Sequence, residues 1–150
     1  MKENMEKIAE MTRLSIFEVF EKMFYIFLEP SDGKVDGYDM EALIEFEGSA
    51  RGEIRILLSR NMVRTMVQNM LNLEEGEITR HNIEDCSKEA VNMVAGNLFG
   101  KLDNSEMFNL SIPAFKPEYS GPSSGENAYR MDFDSDGEKV GVIIDINGRV

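Results

Sequence analysis

The chain has no tryptophan, one histidine, one cysteine and four prolines among its 150 residues. A single cysteine, Cys86, cannot close an internal disulfide, and the opening Met1-Lys-Glu-Asn-Met-Glu6 lacks the basic-then-apolar pattern of a secretion leader. The expected compartment is therefore the reducing cytoplasm. His81 and Cys86 have no neighbours of metal-ligand or triad spacing, which speaks against a zinc site or a thiol nucleophile. Long apolar runs are missing too. The longest, Met23-Phe-Tyr-Ile-Phe-Leu28, is far short of the ~20 residues that cross a bilayer and reads as core.

Positive charge is scarce: 16 basic residues face 28 acidic ones, for a net charge of −12. Such a chain repels phosphate backbones and anionic lipid, so neither nucleic acid nor a membrane surface is an expected partner. Its simplest effect is solubility. The eleven methionines are read mainly as gap fillers at core-facing helix positions, Met23 among them. A chain of this length suits one domain, residues 1–150, burying roughly two-thirds of its unfolded surface.

Periodicity gives the elements. Ile16, Phe20, Met23 and Phe27 recur at helical spacing from about Glu6 to Leu28, where Pro30-Ser-Asp-Gly33 stops the helix. Two alternating strands follow, Ala42/Ile44/Phe46 and Ile54/Ile56/Leu58, joined as a hairpin across Gly48–Gly52. A shorter helix runs from Ser59 or Arg60 to about Leu73 and breaks at Glu74-Glu-Gly76; Thr79 or Asn82 then caps another long helix. Three more strands alternate at Phe108/Leu110/Ile112, Tyr129/Met131/Phe133 and Val140/Val142/Ile144/Ile146. Between the first and second of these, the loop from Lys116 to Asn127, with Pro117, Gly121, Pro122 and Gly125, is the segment expected to move most. Long helix then strands occurs twice, a degenerate repeat. The fold class expected is α/β of the α+β kind: a largely antiparallel sheet covered by two long helices and a shorter one.

Two acidic loops look like metal sites and are not read as such. Asp132-x-Asp134-x-Asp136-Gly137 opens like a calcium loop, but the twelfth position, where a bidentate Glu is needed, is Ile143. With alternation on both sides, Asp136-Gly137 is a hairpin turn. Asp32-Gly33-Lys-Val-Asp36-Gly37 is likewise a loop. No Gly-rich phosphate loop is present, because Gly96 and Gly100 fall inside a helix whose amides are already bonded.

The second long helix carries the most information, in Asp85-Cys-Ser-Lys-Glu89-Ala-Val-Asn92-Met-Val-Ala-Gly96-Asn-Leu-Phe99-Gly100. At about 100° per residue, Asp85, Glu89, Asn92 and Gly96 fall within an arc of about 60°. Ile83, Ala90, Val91, Val94 and Leu98 occupy the opposite, core-facing side, so the polar stripe points outward. Gly96 and Gly100 each weaken a helix by roughly 1 kcal/mol relative to Ala. Their place on the outward side suggests a flat surface for another molecule's close approach. Taken alone, Glu89 and Asn92 also suit an ordinary wet helix face, and Asp85 suits the first turns of any helix through the macrodipole.

The spacing Asp85-x3-Glu89-x2-Asn92, followed by Gly96-Asn97 and later by Leu110-Ser111-Ile112-Pro113, resembles the CheC/CheX/FliY family of response-regulator phosphatases. That signature is Asp/Ser-x3-Glu-x2-Asn with a downstream Pro. In the first long helix the matching positions are Glu18-x2-Glu21, without Asn, and Glu18 and Lys22 there read as a solvent-exposed ion pair. One signature copy makes the chain CheX-like. The resemblance implies a hydrolase that dephosphorylates the phospho-aspartate of a CheY-like receiver domain, with Glu89 and Asn92 catalytic and Asp85, Gly96, Phe99, Gly100 and Pro113 touching the partner. It implies no metal or cofactor of the chain's own, Mg2+ being supplied by the receiver. The competing possibility is a non-catalytic receiver-binding adaptor or flagellar-switch module. CheX-like relatives join sheets as homodimers, and the long β-branched strand Val140 to Ile146 is the edge expected to do so here, unless another strand of the same chain covers it.

Overall fold

The computed structural model describes residues 2–31, 37–102, 108–119, 121 and 128–149. Helix α1, Lys2–Phe24, buries Ile16, Val19, Phe20 and Phe24 and stops where Tyr25 takes a left-handed φ of 55°. The helix expected as far as Leu28 is therefore shorter. Beyond Tyr25 the chain is extended, its side chains alternate, and Ile26 and Leu28 go inward while Tyr25 and Phe27 stand 69% and 71% exposed. Phe27 is not core, and Met23 is only half-buried.

A short strand that the sequence pattern did not suggest, β1 (Glu29–Pro30), precedes the hairpin of β2 (Met40–Glu47) and β3 (Ala50–Leu58). Helix α2, Arg60–Leu71, is capped by Ser59, whose Oγ accepts from Met62 N–H, and ends at Asn72 with φ 54°. Helix α3, Arg80–Lys101, follows a 3-10 turn at Glu75–Glu77. Strands β4 (Asn109–Leu110), β5 (Ala114–Lys116), β6 (Ala128–Ser135) and β7 (Glu138–Arg149) complete the described chain. The β6–β7 turn is Asp136-Gly137, both residues at positive φ (51° and 83°), as a two-residue hairpin of this twist requires. Asp132 and Asp134 lie on β6, Asp136 is in the turn, and the twelfth position, Ile143, is buried on β7. The Asp32–Asp36 loop lies outside the described residues, as does most of the 120–127 stretch expected to move.

The sheet is antiparallel throughout in the order β1-β6-β7-β3-β2-β4, with β5 also on β2. The degenerate repeat appears as two halves, each a long helix, short strand and hairpin; the short strands cross over, β1 to β6 and β4 with β5 to β2. Strand β7 therefore sits in the interior, paired to β3 and β6, with Val140, Val142 and Ile144 buried. This corrects the expected edge at Val140 to Ile146 and removes the ground for joining two chains through it. Among the described residues the outermost strands, β1 and the β4/β5 pair, are short and carry or flank Pro30 and Pro113, a known way to discourage strand addition. The helices cover one face of the sheet; Tyr38, Leu57 and Ile143 form a smaller cluster on the other.

Glu18 ties the two long helices together. Lys22 Nζ donates to its Oε1 at 2.8 Å, as an i,i+4 pair should, and Lys101 of α3 donates to Oε2 at 2.6 Å. Lys101 first, then Lys22 and Asn97, hold the Glu18 carboxyl down to about 2 from 4.5. Between those values the unfolded chain binds the extra proton, so the contribution is whole above about pH 4.5 and lost as pH falls towards 2. Glu18→Gln should therefore be slightly less stable than wild type in urea at pH 7, with the gap closing through that window; a gap independent of pH would remove the bridge as its cause. Gly52 makes a second, steric demand. A Cβ there would lie 1.9 Å from the Asp145 carbonyl oxygen and 2.9 Å from the Phe46 ring. Gly52→Ala should lose about 3 kcal/mol in urea unfolding, the upper end of ordinary overpacking.

Candidate active site

Thr79 begins the site by fixing where α3 starts. Its Oγ1 accepts Asn82 N–H at 3.1 Å while Asn82 Oδ1 accepts Thr79 N–H at 2.9 Å, a reciprocal cap. Cys86, Ser87, Ala90, Val91, Val94, Ala95 and Leu98 are all buried, which sets the helix's rotation. The remaining side presents Asp85, Glu89, Met93, Gly96 and Gly100 to solvent, with Asn92 and Phe99 half-buried beside them. The structure thus brings Asp85, Glu89, Asn92, Gly96 and Gly100 onto one stripe.

The members of that stripe are not equivalent. Asp85 is held by its own helix, His81 Nε2 lying 3.0 Å from Asp85 Oδ2, a partner that i,i+4 spacing could have given. Glu89 and Asn92 make no side-chain hydrogen bond or ion pair with the described residues. Burial first, then the charge of Glu89, pushes the Cys86 thiol up to about 12, so it is no nucleophile. A Cβ added at Gly96 or Gly100 would meet nothing within 4 Å among the described residues, so no packing contact there calls for glycine. Among the described residues, no group of three His, Cys, Asp or Glu could hold a metal ion, and no helix is long and apolar enough to cross a membrane.

Phe99 lies at the stripe's margin, its ring stacked on Phe108 (4.4 Å between centroids) and tilted against Phe46 (4.9 Å). It pins α3 to the sheet edge. Along that edge the single strand expected at Phe108/Leu110/Ile112 is interrupted. Phe46 faces Leu110 and Leu43 faces Ala114, so the two residues Ile44 and Glu45 oppose the three residues Ser111, Ile112 and Pro113. That is a bulge. Ser111 N–H donates to Glu45 O and Ser111 Oγ accepts Glu45 N–H, both at 2.9 Å. Pro113, which has no N–H to give the ladder, is half-buried there, and Ile112 is 88% exposed. Ile112 is the residue sequence reasoning missed; a proline inside an apolar alternation was the available signal.

The family model for the chemotaxis phosphatase CheX matches residues 40–128. No curated protein matches the chain. Among solved structures, the chain is similar to chemotaxis protein CheX from Vibrio vulnificus (21% identity, 93% of this chain and 96% of that one, TM-score 0.80). It is also similar to CheX from Desulfovibrio desulfuricans (17% identity, 94% and 99% covered, TM-score 0.78). A third is the CheX–CheY–BeF3–Mg2+ complex from Borrelia burgdorferi (21% identity, 92% and 96% covered, TM-score 0.72). At such identities these likenesses speak to the fold, whereas the family model covers more than half of the sequence and includes the whole of α3 and the bulge. The chain belongs to the CheX family of chemotaxis phosphatases, within the wider CheC/CheX/FliY group.

Proposed function

We propose that this protein hydrolyses the phospho-aspartate of a CheY-like receiver domain, with Asn92 positioning the attacking water and Glu89 fixing the docking. The observation that carries the reading is the pairing of two unengaged polar side chains with two glycines that no internal contact requires. An acyl phosphate is already activated, and in this reading the receiver supplies the Mg2+ and cationic groups that neutralise the phosphoryl oxygens. What remains to be supplied is an oriented water. A carboxamide both accepts from and donates to water and has no charge to lose with pH. The water oxygen bonds to phosphorus as the bond from phosphorus to the aspartate oxygen breaks; the electron pair stays on the carboxylate, and the water's proton leaves with phosphate or to solvent. Glu89 pairs with the receiver's active-site lysine. Membership of the CheX family and the CheY-containing complex of the Borrelia relative support this choice of partner.

Asn92→Ala should lower phosphate release from a phosphorylated receiver by about 10²-fold or more while receiver binding stays near wild type. Glu89→Ala should weaken binding as well as rate. Equal turnover by wild type and Asn92→Ala would sink the role of Asn92, and a wild type that binds without accelerating release would make the chain an adaptor. Gly96→Ala separates stability from function: the helix gains about 1 kcal/mol in thermal unfolding, whereas the added methyl stands on the docking surface and weakens receiver binding. A variant that is stabilised and binds unchanged would remove Gly96 from that surface.

A further inference from the structure

Resting on that reading, we propose that Ile112 is a specificity-determining anchor: the bulge at Ser111–Pro113 aims it outward from the sheet edge beside α3, to be buried against the receiver when Glu89 and Asn92 engage. Ile112 is 88% exposed, so nearly all of its apolar surface is available to be buried by a partner. Without the extra residue, alternation from Leu110 would keep this edge in register with β2, as it is at Leu110 opposite Phe46 and again at Ala114 opposite Leu43. The offset of one residue between those pairs is taken up entirely at Ser111, Ile112 and Pro113. Bulges at sheet edges beside active sites commonly re-aim a side chain.

The bulge is also braced. Ser111 takes both backbone groups of Glu45, its N–H donating to the carbonyl and its Oγ accepting the amide, each at 2.9 Å. Pro113 closes the other side with a fixed φ and no donor. Ile112 is thus presented by a rigid segment, so burying it asks for little ordering of the backbone.

Continuity with the stripe identifies the occupant. Helix α3 rests on β2 and β5. Phe99, at the margin of the stripe, stacks on Phe108 and packs on Phe46, whose register partner on the edge strand is Leu110, two residues from Ile112. Leu110, Ile112 and, on the helix, Met93 are the exposed large apolar residues along this run. A receiver seated over Glu89 and Asn92 faces the polar pair at its reactive centre and an apolar rim at the edge. The polar pair meets groups that every receiver needs for phosphorylation. Specificity is a difference of affinities, so a rim contact such as Ile112, outside the groups all receivers share, is the one able to tell receivers apart.

The experiment measures both binding and turnover for Ile112→Ala, Ile112→Lys and Ile112→Leu beside Asn92→Ala, using the full chain and two different phosphorylated CheY-like receivers. Ile112→Ala should raise KM, and Kd for the BeF3-loaded receiver, about tenfold with kcat within twofold of wild type. Ile112→Lys should raise them further, Ile112→Leu should restore them, and the ratio of kcat/KM between the two receivers should change. Thermal unfolding of all three should match wild type because the side chain is already in water. If the Ile112 variants bind both receivers as wild type does while Asn92→Ala still abolishes turnover, the anchor is refuted and the phosphatase reading stands. If the Ile112 variants lower kcat instead of affinity, the residue acts on the reacting centre and the anchor is likewise refuted. If wild type binds through Ile112 but Asn92→Ala changes nothing, the catalytic assignment fails and the anchor survives; a wild type that binds neither receiver refutes both.

Discussion

Everything distinctive in this molecule depends on the rotation of α3 about its own axis. Seven buried side chains, from Cys86 to Leu98, hold that angle against the sheet and against α1. A turn of about 100°, one residue's worth, would drive Glu89 into the core, where an ionised carboxylate without a partner costs several kcal/mol. The apolar side thus fixes the polar side. Glu89 and Asn92 need no internal hydrogen bonds to stay in place because the backbone beneath them cannot turn. This lets them remain unengaged, as the proposed reach into a receiver's site requires.

The same economy explains the residues that look unfavourable when taken one at a time. Glycine weakens a helix and proline interrupts a strand, yet Gly96, Gly100 and Pro113 all occur on the side of the molecule where a partner is proposed to sit. Nothing within the described chain touches the space a Cβ would take at either glycine. Gly52 is the contrasting case, required by the Asp145 carbonyl and the Phe46 ring of its own fold. One residue type thus has two meanings, and only surroundings tell them apart.

What was legible in the sequence follows the range of the interactions involved. The stripe on α3 could be read because a helix's period places Asp85, Glu89, Asn92 and Gly96 by local geometry alone, and the β6–β7 turn because Asp136-Gly137 carries its own conformational preference. The order of strands could not, since it depends on pairings between distant segments. Val140, Val142, Ile144 and Ile146 alternate in the same way at an edge or in the interior. Tyr25 was missed because a bulky residue is a poor candidate for a left-handed φ, so the apolar run through it read as continuing helix. The bulge was missed for a related reason: Leu110 and Ile112 alternate as a strand would, and only the register against β2 reveals the extra residue.

The two halves also show why one helix, and not both, leaves its stripe carboxylate unengaged. Glu18 in α1 stands where Glu89 stands in α3, so the repeat puts a carboxylate in each long helix. In α1 that carboxylate is taken by Lys22 and by Lys101, the second of which reaches across from the end of α3. A group bound to two ammonium ions and held strongly acidic by them has no free oxygen directed at a partner's lysine, and the position matching Asn92 is Glu21. The first half therefore acts as a brace. By tying α1 to the C-terminal turn of α3, it supports the rigidity on which the second half's stripe depends, so the loss of symmetry in sequence becomes a division of labour in structure.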